Sequence, residues 1–172
     1  MTETYAPGHI ADVLRSVRTI AVVGASANPQ RPSSFVIADL SKKGYDVVPI
    51  NPGRAGGSIM GLPAFGTLGD VPRPIDMVDV FRRPDAVPAI LDEALALAPR
   101  PRVLWLQLGV INEEAAARAR AEGMIVIQDR CPKIEYGRLS GESGRMGIAS
   151  GVISARRRVP GPRMQSLGLP KG

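Results

Sequence analysis

The chain has 172 residues, 44% hydrophobic and 22% charged, the balance of a globular protein with one core of ordinary size. Its formal net charge is +6, and its single cysteine and single histidine exclude an internal disulfide and a Cys/His metal cluster. No apolar run approaches the roughly 20 residues that span a bilayer. The opening MTETYAPGHIADVL has neither a basic start nor an apolar signal core, so a cytoplasmic protein without membrane contact is expected.

A short leading helix is predicted over residues 9–17. The β-branched run Ile20 to Val23 stops at Gly24 and predicts a strand over 19–24. An amphipathic segment over 32–43 reads as a helix, and 45–50 as a second strand. Between Gly53 and Pro74 the chain is rich in Gly and Pro, with short apolar pieces at Ser58 to Met60 and Pro63 to Phe65. A small irregular strand and turns are expected there in place of a full helix. Further strands are predicted over 76–81, 102–106 and 124–128. Helices are predicted over 84–98 and 111–122, the latter with Asn112 as N-cap ahead of Glu113 and Glu114. Alternating strands and helices predict an α/β fold: a Rossmann-like three-layer sandwich around a mostly parallel five-stranded sheet with right-handed crossovers.

Residues 1–139 read as one domain and 140–172 as a tail. The tail sets Arg145, Arg156, Arg157, Arg158, Arg163 and Lys171 against Glu142, a net of +5 out of the chain's +6. It is dominated by Gly, Ser and Pro and is expected to be a mobile, solubilising extension. Three consecutive arginines suit nucleic acid, but no aromatic residue interleaves with them, so nucleic acid is not the expected partner.

The first strand–turn–helix–strand unit, residues 19–52, carries most of the functional information. Orphan amides and the dipole of a helix beginning at such a turn attract a diphosphate. The dinucleotide fingerprint asks for three glycines in G-x-G-x-x-G; this register has Gly24, Ser26 and Pro29. Ser26 allows close approach and adds a hydroxyl. Pro29 supplies no amide. Arg31 offers a forked cation for phosphate oxygens, Pro32 suits a first helical turn, and Ser33 and Ser34 add hydroxyls. An NAD site also wants an acid at the end of the second strand. Here that strand ends Pro49-Ile50-Asn51-Pro52, and Asp46 stands at its other end.

The stretches VVGASANPQRPSSFV (22–36), GYDVVPINP (44–52), IDMVDVFRRPDAVPAIL (75–91), VLWLQLGVINEEAAARARAEGM (103–124) and VIQDRCPKIEYGRL (126–139) occur in order with natural spacing. Together they resemble the single-domain coenzyme A-binding proteins, which are similar to the CoA-binding domain of the succinyl-CoA synthetase α subunit. The resemblance implies a Rossmann-like fold with CoA, free or as acyl-CoA, across the carboxyl ends of the strands. The candidate cofactor-binding residues are Gly24, Ala25, Ser26, Asn28, Arg31, Pro32, Ser33, Asn51, Pro52, Phe81, Arg82, Gln107 and Gly109. Phe81 and Arg82 close the third predicted strand, and Gln107 and Gly109 follow the fourth, where open α/β sheets bind ligands. Trp105 reads as core, and His9 as a solvent-facing or helix-end residue.

Cys131 follows the last strand between Arg130 and Lys133. Flanking cations favour a thiolate, which makes Cys131 a candidate thiol partner for CoA; the bland alternative is a small packed residue before Pro132. The synthetases resembled here act through a phosphorylated histidine in a second domain. His9 lies outside the matching stretches, and no Ser-His-Asp or Cys-His set can be assembled around it. The chain is therefore read as a non-catalytic CoA-binding protein, a carrier or a redox-responsive sensor, with catalysis left open. Two alternatives stand beside it: an NAD(P)-binding redox enzyme or sensor, and a nucleic-acid-associated protein acting through the tail. Homo-oligomerisation is also open.

Overall fold

Two apolar layers organise the molecule, one on each face of a single parallel sheet. The computed structural model describes residues 3–140. Its helices are α1 (His9–Ser16), α2 (Pro32–Lys42), α3 (Val87–Leu95), α4 (Glu113–Ala121) and α5 (Pro132–Ser140). Its strands are β1 (Thr19–Val23), β2 (Asp46–Ile50), β3 (Ser58–Ile59), β4 (Leu62–Pro63), β5 (Met77–Val80), β6 (Val103–Leu106) and β7 (Ile125–Ile127). Five strands form the sheet in the order β2-β1-β5-β6-β7, every pair parallel. This is the Rossmann-like α/β sandwich expected from the alternation.

Strand alternation sends successive side chains to opposite faces. Ile20, Val22, Met77, Val103, Trp105 and Ile127 enter one layer, with α1, α2 and α5. Ala21, Val48, Val78, Val80, Leu104 and Val126 enter the other, with α3 and α4. Both faces are covered, which is why the strands read as continuous apolar runs.

The segment between β2 and β5 forms the expected small irregular piece, a β3–β4 antiparallel pair flanked by 3-10 turns at Pro52–Arg54 and Leu68–Asp70. The helix expected over 84–98 divides into a 3-10 turn at Pro84–Ala86 and α3. Asn112 caps α4, its Oδ1 accepting the Ala115 amide at 2.9 Å. Trp105 is fully buried, and its indole N–H donates to the Arg130 carbonyl at 2.8 Å. His9 opens α1 and stacks on Tyr5 with 5.9 Å between ring centroids. The missed element is α5, for which the sequence predicted no helix. It buries Tyr136 and Leu139 against the first layer and carries a buried Glu135 compensated by Arg138 at 3.2 Å and Arg130 at 3.8 Å. Ser140, the first residue of the expected tail, is the buried last residue of α5; residues 141–172, with the three arginines, lie outside the described residues. No described helix is long and apolar enough to cross a membrane.

Candidate functional site

The connection from β1 returns through α2 on one face, while that from β5 returns through α3 on the other. Between adjacent β1 and β5 the two connections diverge, leaving a crevice at their carboxyl ends. A cleft of about 410 Å³ lies there, lined by Gly24, Ala25, Ser26, Arg31, Pro32, Ser33, Asn51, Pro52, Phe81 and Arg82. The structure thus gathers ten of the thirteen candidate residues around one opening. Asn28, Gln107 and Gly109 do not line it. Asn28 is exposed and accepts the Gln30 amide at 2.9 Å. The Gly109 amide donates to Asp129 Oδ1 at 2.7 Å. Gln107 is buried in the sheet beyond Phe81.

Gly24 is dictated twice. Its φ is 88°, a left-handed conformation. A Cβ there would stand 2.5 Å from the Phe81 carbonyl oxygen and 2.9 Å from Arg82 Cδ. Backbone from β1 and β5 meets at this point, and only glycine fits.

The expected cradle of turn amides is narrower than the fingerprint implies. The Gly24 and Ala25 amides both donate to the Ile50 carbonyl, at 3.1 and 3.3 Å, and the Ser26 amide donates to Ser33 Oγ at 3.1 Å. Ser34 is fully buried and its hydroxyl donates to the Asn28 and Ser26 carbonyls at 2.7 and 3.1 Å. With glycine kept at only the first of three positions, the loop satisfies its own backbone groups in order to stand. What remains for an anion is the Ser33 amide of the uncapped α2 N-terminus, the hydroxyl protons of Ser26 and Ser33, and two guanidinium groups.

Those guanidiniums belong to Arg31, at the N-cap of α2, and Arg82, just past β5. Both are exposed, they stand on either side of the crevice, and neither has a carboxylate partner among the described residues. Nearby Arg83 is paired with Asp85 at 3.1 Å. The lining contains no carboxylate. Asp46 is engaged at the opposite strand end, where Arg73 holds it bidentately at 2.6 and 2.9 Å and lowers its pKa below the usual range. Asp76, at that same end, accepts the Arg18 and Thr19 amides at 2.8 and 2.9 Å.

Asn51 stands where an NAD site would place its acid, and its work is internal. Its Nδ2 donates to the Ala25 carbonyl and its Oδ1 accepts the Gly53 amide, each at 2.8 Å. It ties the loop after β1 to the loop after β2. Asn51→Ala should destabilise the protein by about 1–3 kcal/mol, measured by chemical denaturation, and Asn51→Asp should lose the Ala25 bond without creating an NAD site. Gain of NAD binding by Asn51→Asp would contradict this assignment.

Cys131 is 6% exposed and packs in the first apolar layer at the start of α5. It is not part of the cleft lining. The Arg130 guanidinium turns to backbone, donating to the Asp129 and Glu3 carbonyls at 2.8 and 2.7 Å. The candidate thiol partner is thus shut away from solvent, contrary to the accessible position that a mixed disulfide needs. Oxidised CoA should leave the folded protein unmodified by intact mass, with an adduct forming only under denaturing conditions.

Such a sheet, with its cleft at the switch point and cations on its lips, defines a doubly wound α/β domain. The chain belongs to the CoA-binding domain family, whose model matches residues 18–137. It is 37% identical over 128 residues to the uncharacterized protein YneT of Bacillus subtilis, spanning 74% of this chain and 91% of that protein. Among solved structures it is similar to cell-free ID.343 from Thermus thermophilus, with TM-score 0.73, 36% identity, and coverage of 78% of this chain and 98% of that one. It also resembles part of a dinucleotide-forming acetyl-coenzyme A synthetase from Ca. Korarchaeum cryptofilum, solved with phosphate and ADP. There the TM-score is 0.54 and the identity 27%, covering 67% of this chain and 27% of that one.

Proposed function

We propose that the protein binds coenzyme A reversibly, with the diphosphate in the cleft between Gly24 and Arg82. One observation carries the proposal: in a chain of the CoA-binding domain family, Arg31 and Arg82 face the switch-point cleft without counter-charges among the described residues. Two uncompensated guanidiniums in a lining without carboxylates suit a ligand with several negative charges. Ser26, Ser33 and the Ser33 amide complete the donor set. From there the pantetheine arm runs along the strand ends past Phe81 toward Gln107 and Gly109.

Among the described residues the lining offers the Ser26 and Ser33 hydroxyls but no His, Cys, Asp, Glu or Lys to act as a general base or to activate them. The function proposed is therefore that of a carrier or sensor of CoA or acyl-CoA. An NAD(P) reading is weaker because Asn51, in the place of the ribose-binding acid, spends its side chain on Ala25 and Gly53. Native mass spectrometry of the purified full chain tests the proposal. The expected result is a co-purified or added CoA adduct of one per chain that dissociates without reductant. Retention of NAD and not of CoA would overturn it.

A further inference from the structure

Asp79 sits in the central strand β5 with 0% exposure, and neither carboxyl oxygen has a hydrogen-bond partner among the described residues. Met77 points into the first apolar layer, so strand alternation puts Asp79 there too; its register neighbours are Val22 and Trp105. On the next strand, Val103 and Trp105 enter the same layer. The Gln107 amide extends the ladder by donating to the Val80 carbonyl at 3.3 Å. The Gln107 side chain thus follows on the same face, one step closer to the carboxyl edge. Gln107 is 7% exposed, and its Oε1 is buried without a partner, whereas its Nε2 is not shut in this way.

Three orphaned acceptor oxygens on neighbouring strands require a donor. Trp105 Nε1 is spent on the Arg130 carbonyl and the Tyr45 hydroxyl on the Leu14 carbonyl. The remaining titratable groups of the layer are Cys131, Tyr136 and, packed at its margin, Tyr5, whose hydroxyl donates to Glu3 and accepts the Gln128 amide. The layer's charged groups engage one another: Glu135 with Arg130 and Arg138, and Asp39 with Lys43. A carboxylate only accepts, but a carboxylic acid donates. We propose that Asp79 is a positioning residue for the cleft: it keeps a proton and donates it to Gln107 Oε1, fixing that amide with Nε2 toward the ligand arm. This rests on the reading that the pantetheine arm passes Gln107, whose Nε2 then meets an arm carbonyl. Burial, with no charge to offset it, holds the Asp79 carboxyl well above the usual carboxylate range, consistent with a retained proton.

Carbon-13 NMR of side-chain carboxyls in the ligand-free full chain, with calorimetric titration of CoA, tests this. At neutral pH, Asp79 should give a neutral-acid resonance that is absent from Asp79→Asn and displaced in Gln107→Leu. Asp79→Asn can still donate to Oε1 and should bind CoA within about twofold of the parent. Asp79→Leu cannot, and should bind about 3- to 10-fold more weakly. The folded chain keeps a proton that the unfolded chain releases above about pH 4. Stability therefore falls as pH rises from there, and the thermal midpoint of Asp79→Asn should gain on the parent's between about pH 4 and pH 8. An ionised Asp79 at neutral pH, or CoA affinity unchanged in Asp79→Leu, would overturn the proposal. Should Asp79→Leu not fold, an Asp79 resonance unmoved by Gln107→Leu overturns it equally. If the parent ignores CoA, the proposed function fails, while the Asp79–Gln107 bond stands or falls on the resonance of the free protein.

Discussion

Replacing Gly24 by alanine should abolish coenzyme binding and destabilise the whole domain. The added Cβ would lie 2.5 Å from the Phe81 carbonyl oxygen, a distance at which backbone must move. The residue would also have to hold a φ of 88°. The conformational strain alone costs about 1–3 kcal/mol, and moving β1 away from β5 adds to it. The two ends that must part are the floor and one wall of the cleft, so stability and binding fall together. Denaturant unfolding with CoA titration checks this. A Gly24→Ala protein with parental stability and affinity would show that the β1–β5 contact is not what shapes the site.

Removing both uncompensated cations should have the largest effect on binding with the least on folding. Arg31 and Arg82 are exposed and make no ion pair among the described residues, so truncating them leaves no buried charge behind. A hydrogen bond to a charged group contributes about 1.5–3 kcal/mol, so Arg31→Ala or Arg82→Ala alone should weaken CoA about tenfold or more. The double variant should lose about a hundredfold or more, with unchanged thermal stability. Pantetheine without phosphates should bind parent and double variant alike. An equal loss for CoA and pantetheine would mean that the arginines support the cleft rather than the diphosphate. The CoA affinity of the parent should also fall with added salt, and less steeply in the double variant.

The local requirements of this site are visible in the sequence. A strand that ends in glycine, a proline opening the next helix and an arginine before it are each demanded by chemistry within a few residues. Gly24, Arg31 and Pro32 accordingly stand where the spacing places them. Phe81 and Arg82 could be placed because a parallel sheet brings the ends of its strands to one edge. Features settled by tertiary packing were not legible. The amides of Gly24 and Ala25 are consumed by Ile50, a residue contributed by a neighbouring strand. Helix α5 hides its pattern because Glu135 and Ser140 are buried beside Tyr136 and Leu139, and Gly137 lies within it. Cys131 could be located after the last strand, but α5 is what closes over it. The burial of Asp79 follows from the covering of both faces of the sheet, which no local pattern around it reports.

The switch-point cleft should select CoA through its diphosphate and reject NAD. Isothermal titration of the full chain with CoA, NAD and NADP under identical buffer and salt tests it most directly. The expected result is saturable one-to-one binding of CoA, loss of that binding in the Arg31→Ala/Arg82→Ala protein, and no saturable heat with NAD or NADP. Saturable NAD binding with CoA ignored, or CoA binding indifferent to both arginines, would contradict it.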